Sequence, residues 1–343
     1  MNAILDTFLD RTVLGTARKI GPLTLVPVLL QEPAEILEVA VLDDESARVQ
    51  EIGEFGVVGR LRVESLTPLP LLLVAGELVQ GAKQDRLINA SILIEPGGEL
   101  DEVPVSCIEQ GRWAYRSRRH FSTADTAAPW HLRSSATLRA SRSRRRTGRH
   151  DADQRSVWQD VDAHLRKRKV RSRTANLLDA MEEAEARHKE ALVEIEAWSP
   201  SEREVGAVLF VDGAPCGLEA FCSPDVWRTA GRRILRGLCA DATTRDVSPD
   251  DAPRRARDLI ERVRSMSTTK TNGMGLGTEL HGETEHTHLT ALTAAPGQLS
   301  DDCPGGVIHL RLARLETEAQ ADTPRQTAGP FEGRKAGLDG EQE

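Results

Sequence analysis

The sequence has few aromatic residues, few lysines and few cysteines, and it has no long apolar run. Its 343 residues include five cysteines, an odd number without CxxC spacing, which fits neither a disulfide framework nor a zinc ribbon. No apolar run approaches the roughly 18–20 residues that cross a bilayer. The start of the chain lacks the charged region of a secretory signal. The sequence therefore predicts a cytoplasmic protein without a membrane partner.

Charge is plentiful but unevenly distributed. The chain has 53 acidic and 45 basic residues, a net charge of −8, yet residues 112–173 hold 16 Arg and two Lys against five Asp, a net of +13. One hypothesis is that residues 116–149 form a nucleic-acid-binding or assembly module. The alternative is a solvated segment that pairs with the protein's own acidic helices. We favour it because the aromatic residues precede the basic run instead of interleaving with it.

The spacing of apolar residues predicts an α+β fold. Residues 12–113 contain short β-type runs separated by Gly and Pro, a pattern typical of an antiparallel sandwich or barrel. Ser223-Pro224-Asp225 marks the start of a helix, and alternation within 275–314 predicts C-terminal strands. We expect a large antiparallel β layer, sandwich or barrel-like, with helices packed on one side and the C-terminal strands returning to it.

The composition divides the chain into four segments. Residues 1–113 are predicted to be a β-rich part that carries a ligand site, and residues 151–315 to be helices and strands that complete the same domain. Between them lie residues 114–150, in which Ser134–Arg149 has almost no large apolar side chain, and this favours an exposed, mobile loop. Residues 316–343 are rich in Gly, Glu and Gln and are predicted to be disordered.

Two strand-ending turns, within residues 76–86 and 103–113, carry the densest group of polar residues. Turns at the ends of strands are places where a rigid scaffold presents functional groups. The residue types suit a small, anionic, ring-bearing ligand, although ion pairs that pin the two turns would explain them equally well. The predicted roles are anion contact for Lys83, Arg86 and Arg112, stacking for Trp113, orienting hydrogen bonds for Gln84 and Gln110, and acid–base or metal chemistry for Asp85 and Glu109.

The same turns carry a resemblance to a known family. The runs Gly-Ala-Lys-Gln-Asp-Arg at 81–86, Pro-Val-Ser-Cys-Ile-Glu-Gln-Gly-Arg-Trp at 104–113 and Gly-Leu-Glu-Ala-Phe at 217–221 resemble the ARG-and-rhodanese-phosphatase-superfamily-associated domain family. The resemblance covers roughly residues 10–240 and extends to the C-terminal strands. Through the family's association with ADP-ribosylglycohydrolase (ARG) proteins, it implies a phosphate-bearing nucleotide ligand in NAD- or ADP-ribose-linked metabolism. It identifies no cofactor and no reaction, and it leaves open whether the protein is an enzyme.

Two further residues are candidates for chemistry. Glu219 shares a strand face with Phe221, so its carboxylate is either buried, and then needs a partner or a catalytic function, or solvated. Its place in the third run favours a catalytic role. Cys107 alternates with Val103 and Val105, which is more typical of a small core residue than of a nucleophile.

The run from 281 to 288 is the best candidate for a metal site. His281, His286 and His288 lie close in sequence with two glutamates between them, and imidazole with carboxylate suits Zn, Fe or Ni. The alternative is a polar hairpin tip. His309, in the last strand, is expected to be a hydrogen-bonded sheet histidine.

Overall fold

The computed structural model describes residues 2–32, 38–115, 120–243, 251–298 and 306–315. Within these residues the chain forms the predicted combination of helices and antiparallel strands. The helices are α1 (Ala3–Asp10), α2 (Trp130–Thr147), α3 (Gln154–Arg168), α4 (Leu177–Arg187), α5 (Lys189–Ala197), α6 (Pro224–Cys239) and α7 (Ala252–Ser265). The strands are β1 (Thr12–Leu14), β2 (Arg18–Ile20), β3 (Leu23–Leu30), β4 (Ala40–Val41), β5 (Ala47–Gln50), β6 (Arg60–Ser65), β7 (Leu71–Leu73), β8 (Glu77–Gly81), β9 (Arg86–Ile88), β10 (Ile92–Ile94), β11 (Glu99–Cys107), β12 (His120–Ala127), β13 (Glu204–Val211), β14 (Ala214–Phe221), β15 (Thr268–Asn272), β16 (Thr278–Glu283), β17 (Thr287–Ala294) and β18 (Gly306–Arg314).

The largest sheet joins the two ends of the described chain. Its strands run in the order β1-β3-β13-β14-β18-β17-β16-β15, with β2 also paired to β3, and the pairings are antiparallel. The C-terminal strands thus return to the sheet that contains the N-terminal ones, as predicted. β3 is apolar along almost its whole length because both of its faces are covered.

Helices cover both faces of this sheet, whereas the sequence predicted helices on one side. Leu209 of β13 packs with α6 through Trp227, while its neighbour Phe210 points to the other face and packs with α1 and α7 through Leu5 and Leu259. Successive residues of a strand face opposite ways, so a strand that is apolar at every position needs a cover on each side. The apolar faces of α1 and α7 supply the second cover.

Six strands between Ala47 and Ala127 form a separate closed barrel with the strand order β11-β6-β5-β12-β8-β9. Valine and leucine side chains fill its interior, among them Val49, Leu61, Val79 and Val105. A three-stranded sheet, β10-β7-β4, packs beside it. Most of the predicted β-rich segment, residues 1–113, therefore adopts a barrel, one of the two architectures predicted for it. Strands β1–β3 belong to the main sheet instead.

The Arg-rich segment 114–150 is not a loop over most of its described length. It contains β12 and the 18-residue helix α2, which ends at Gly148 in the left-handed conformation, with φ +77°. The loop prediction failed because α2 has little apolar surface. Its buried side chains include Arg133, Ser134 and Ser141, whose partners are polar groups of the main sheet. A helix held by polar pairs does not show the regular spacing of apolar residues from which a helix is predicted.

Helix α6 begins where the sequence predicted. Ser223 caps its first turn by accepting a hydrogen bond from the N–H of Val226, and Pro224 and Asp225 follow. In the described residues, no helix is long and apolar enough to cross a membrane. The predicted disordered tail, 316–343, lies outside the described residues.

Candidate functional site

The predicted turn residues Asp85, Glu109 and Arg112 come together at one end of the barrel. Both carboxylates are completely buried, and Arg112 Nη2 lies 2.6 Å from Glu109 Oε2 and 3.3 Å from Asp85 Oδ1. Arg112 Nη1 also donates to the carbonyl oxygens of Ala82 and Ala114, at 2.7 and 2.8 Å. Protein groups on both turns thus bind the Arg112 guanidinium. This arrangement fits the alternative in which ion pairs pin the two turns together.

The two carboxylates of this barrel-end cluster are also held from α4. Asn176, which caps α4, donates to Asp85 Oδ2 at 2.8 Å, and Thr174 donates to Glu109 Oε1 at 2.8 Å. Gly81 N–H donates to Asp85 Oδ1 at 2.8 Å. Asp85 and Glu109 therefore fasten the barrel turns to α4.

Lys83 and Arg86 lie beside the exposed ring of Trp113. Lys83 Nζ is 5.4 Å from the centre of the Trp113 ring and 5.2 Å from that of Tyr115, and Arg86 Cζ is 5.7 Å from the Trp113 ring. Trp113 is 47% and Tyr115 38% exposed, whereas Arg86 is buried and pairs with Glu51 at 3.4 Å. We call Lys83, Trp113 and Tyr115 the aromatic rim. It combines a cation with two accessible rings.

The remaining predicted turn residues differ in exposure. Gln84 is buried and donates from Nε2 to the carbonyl of Glu109 at 2.7 Å, while Gln110 is exposed. Cys107 is buried in β11, and burial raises the pKa of its thiol, so it has little thiolate at neutral pH. Cys107 is therefore placed as a small core residue would be, which is the interpretation that the sequence favoured.

A second polar region lies between α2 and the main sheet, around Glu219. On one face of the sheet, His281, His288, His309, Arg311 and Glu219 stand on four consecutive strands. A cleft occupies part of this interface. It measures about 360 Å³ when the space open to solvent is counted. This polar cleft is lined by residues 89–91, Thr137, Ala140, Ser141, His150, residues 279–281 and 290–292, and His309.

Ser91, His309 and Glu219 form a hydrogen-bonded series in the polar cleft. Ser91 Oγ lies 2.7 Å from His309 Nδ1, and His309 Nε2 lies 2.7 Å from Glu219 Oε2. Ser91 is half-buried at the cleft, whereas His309 and Glu219 are buried below it. A neutral imidazole that donates from Nε2 to the carboxylate accepts at Nδ1 from the serine hydroxyl. This is the order of groups in serine nucleophile relays.

The residues around Glu219 set the charge states of this series. Burial opposes ionisation of Glu219, but the charge of Arg133 and the hydrogen bond from His309 outweigh it and lower the pKa of the carboxyl to about 2. Burial lowers the pKa of His309, although Glu219 acts in the opposite direction. At neutral pH, Glu219 is therefore ionised and His309 is neutral.

Two buried arginines hold the carboxylate in place. Arg133 Nη1 and Arg311 Nε donate to Glu219 Oε1 at 2.6 and 2.9 Å. The Arg133 side chain passes directly over Gly76, where a Cβ would lie 2.2 Å from Arg133 Cγ; Gly76 also has φ +91°. The turn before β8 thus requires glycine to let Arg133 reach Glu219.

A second serine–histidine–glutamate series crosses the same cleft. Ser141 Oγ lies 2.9 Å from His281 Nδ1, and Glu279 Oε2 accepts from His281 Nε2 at 3.1 Å and from His150 Nε2 at 2.7 Å. Burial opposes ionisation, but the hydrogen bonds from the two histidines lower the pKa of Glu279 to about 2. Ser141 and His281 are both buried, so this series is less accessible than that of Ser91.

The three histidines predicted to bind a metal are not brought together. His281 and His288 are buried on the same face, on paired strands, but His286 lies in the connecting turn with a 54% exposed side chain. In the described residues, the three-residue group with ligand atoms in reach of one ion lies elsewhere, at His131, His164 and Asp241.

Several of these residues were missed from the sequence. Ser91, Arg133 and Ser141 are distant in sequence from Glu219 and carry no motif. A signal existed in β18, where His309 and Arg311 occupy one face of an otherwise apolar buried strand. Polar residues at i and i+2 in such a strand must find partners on the same face, and Glu219 was the available acid.

The comparisons with known proteins identify a family but no activity. A family model described as the ARG and Rhodanese-Phosphatase-superfamily-associated Protein domain matches residues 11–312, which include the barrel and both polar regions. No curated protein and no solved structure matches the chain. The match extends over most of the chain, including the C-terminal strands, as the sequence motifs predicted. The chain therefore belongs to the family of ARG and Rhodanese-Phosphatase-superfamily-associated Protein domains.

Proposed function

We propose that this protein is a hydrolytic enzyme whose nucleophile is Ser91 in the polar cleft. The observation that carries the proposal is the series from Ser91 through His309 to Glu219, with both hydrogen bonds at 2.7 Å. Ser91 is half-buried at the cleft and its two partners are buried, so in this proposal a substrate reaches the hydroxyl from the cleft while the base and its orienting acid stay shielded from water.

The reaction that fits these groups is hydrolysis of an ester. Ser91 Oγ attacks the ester carbon as its proton passes to His309 Nδ1, and Glu219 stabilises the imidazolium through Nε2. The C–O bond to the leaving alcohol breaks as His309 returns the proton to that oxygen. Water then attacks the acyl-serine in the same way, and His309 relays its proton to Ser91. Holding the base in one tautomer is the contribution of the carboxylate in such series.

The test uses a fluorophosphonate, a reagent that modifies activated serine hydroxyls. We expect the protein to be labelled at Ser91, as located by peptide mass spectrometry. Ser91→Ala abolishes the label, and His309→Gln reduces the labelling rate by about a hundredfold or more, the scale of general-base catalysis. The matched control is Ser122→Ala, at an exposed serine of β12, which leaves the rate unchanged. An unlabelled wild-type protein, or label at another residue, contradicts the proposal.

A second candidate function is binding of a phosphate-bearing nucleotide, such as ADP-ribose, at the aromatic rim. The observation that favours it is the placement of the Lys83 ammonium between two partly exposed rings. A base can stack on Trp113 while the cation attracts the phosphates. The family description records an association with ARG, which is compatible with this ligand class. Lys83 Nζ donates to the carbonyl oxygens of Glu54 and Phe55, which leaves one of its three N–H groups for a phosphate.

Binding is measured by calorimetry with ADP-ribose, ADP and AMP. We expect the wild-type protein to bind ADP-ribose and Trp113→Ala to bind it at least about tenfold more weakly, since stacking of one base is worth about 1–3 kcal/mol. Val193→Ala, at an exposed apolar side chain of α5, is the control and leaves the affinity unchanged. If none of the three nucleotides binds to the wild-type protein, this candidate is wrong.

A further inference from the structure

A further group of titratable side chains lies at the junction of α2, α3 and the residues after α6. His131 lies in the first turn of α2, His164 in the last turn of α3, and Asp241 just beyond the end of α6. One ring nitrogen from each histidine and one carboxylate oxygen all lie within 4.8 Å of one another. The two imidazoles are stacked, with ring centres 5.0 Å apart and planes 22° apart.

The unusual member of this group is His164. Its side chain is buried, at 2% exposure, and both ring nitrogens lack a hydrogen-bond partner among the described residues. A buried imidazole without partners is costly, because the unmet hydrogen bonds are lost on leaving water. Burial and the nearby His131 lower the pKa of His164 to about 3, so at neutral pH it carries a free lone pair. That is the state in which imidazole binds metals.

The other two residues are already oriented. Asp241 accepts from the backbone N–H of Trp130 at 2.5 Å through Oδ2 and bonds His131 Nδ1 through Oδ1. Burial raises the pKa of Asp241, but the charge of His131 and its hydrogen bond outweigh this and lower it, so the residue is a carboxylate at neutral pH. His131 and Asp241 remain partly exposed, at 30% and 17% of their side chains, which leaves a way in for an ion.

We propose that His131, His164 and Asp241 form a binding site for a divalent transition metal, Zn²⁺ or Fe²⁺. Two imidazoles and one carboxylate are a donor set that both ions take, and three protein ligands leave at least one position open. This site is distinct from the polar cleft, from the aromatic rim and from the sequence-predicted group at 281–288.

Charge around the site indicates what the open position binds. Arg168 is close enough to Asp241 for their charges to interact, and its Nη1 donates to the carbonyl of Ala242 at 2.8 Å. Its Nε and Nη2 have no partner among the described residues. Among the three ligands the single carboxylate neutralises only half of the charge of a divalent ion, so the metal centre keeps a net positive charge. The fourth ligand is therefore an anion, hydroxide or an oxygen of a carboxylate or phosphate.

The test is titration of full-length protein, purified without a histidine tag, with Co²⁺ as a spectroscopic probe and with Zn²⁺ as competitor. We expect one equivalent of Co²⁺ to give visible absorption of a four- or five-coordinate site, which Zn²⁺ displaces. His164→Gln and Asp241→Asn each weaken Co²⁺ binding at least tenfold. The control is His286→Gln, an exposed histidine outside the group, which leaves the titration unchanged.

Three outcomes overturn the proposal. They are a wild-type protein that binds less than about a tenth of an equivalent, variants that bind like wild type, and loss of binding in His286→Gln. Circular dichroism checks that His164→Gln and Asp241→Asn are folded. If either is not, X-ray absorption of the wild-type Co²⁺ complex decides the question, since two imidazole ligands support the site and fewer than two contradict it.

Discussion

At the scale of single residues, Glu219 is the centre of the polar region beneath α2. It is completely buried, and its two oxygens accept hydrogen bonds from Arg133, Arg311 and His309. One carboxylate thus balances two buried guanidiniums. The burial of Arg311 and the charge of Arg133 together lower the pKa of the Arg311 guanidinium to about 9, whereas the charge of Glu219 raises it.

Glu219→Gln is expected to destabilise the protein by about 3–5 kcal/mol, the cost of leaving buried charges without their partner. The substitution keeps the shape of the side chain and removes its charge, so the loss reports on electrostatics and not on a cavity. Chemical denaturation measures it. Glu285→Gln, with an 85% exposed side chain, serves as the reference and changes the free energy of unfolding little. A change below about 1 kcal/mol in Glu219→Gln would falsify this account of the cluster.

At the scale of secondary-structure elements, the helix α2 determines which groups the arginines of residues 134–149 contact. Arg142 and Arg145 pair with Glu283 of β16, at 2.5 and 2.6 Å, and Arg144 Nη2 donates to the carbonyl of Asn272 at 2.5 Å. These contacts lie within the same chain, but with the strands β15 and β16 and not with the acidic helices that the alternative named. A nucleic-acid-binding role for residues 116–149 stays a prediction, and the pairing of these arginines counts against it.

At the scale of the whole molecule, the main sheet has one apolar face and one that is partly polar. Under α1 and α7 it buries mostly apolar side chains, whereas under α2 it carries Glu219, Glu279, His281, His288, His309 and Arg311. Stability therefore depends on the protonation of buried groups as well as on apolar packing. That dependence can be measured as a function of pH.

The free energy of unfolding is expected to fall as the pH drops from 6.5 to 2. Buried His288 and His309 have pKa values below 6.5, so the unfolded chain takes up protons first as the pH falls. Glu219 and Glu279, with pKa values of about 2 against an ordinary 4.5, contribute stability above pH 4.5 that is lost as the pH falls toward 2. Each proton adds a slope of about 1.4 kcal/mol per pH unit.

Denaturation at a series of pH values, on wild type and Glu279→Gln, measures this dependence. The variant is expected to have a shallower slope between pH 4.5 and 2, because Gln takes up no proton, whatever its stability at neutral pH. Equal slopes in the two proteins would exclude Glu279 as a source of the acid sensitivity. A wild-type stability that is constant from pH 5 to pH 3 would contradict the electrostatic picture of the whole region.

Local signals in the sequence determined the elements whose faces are apolar. β3 is one of the short β-type runs predicted within residues 12–113, α6 begins at its serine cap, and the family motifs identify the chain over most of its length. The sequence also brought Asp85, Glu109 and Arg112 to one place, because they stand at the ends of paired strands. Apolar periodicity and turn chemistry are local properties, so they can be found without knowing what a segment packs against.

Only the tertiary structure decided which polar residues meet. Ser91, Glu219 and His309 come from three distant segments, and His131, His164 and Asp241 from three others, so no spacing in the sequence relates them. The helix α2 was missed for the same reason, since its stability comes from hydrogen bonds with a sheet formed by residues more than 80 positions away. Polar complementarity across a fold is a property of pairs of surfaces, and it exists only once the chain has brought them together.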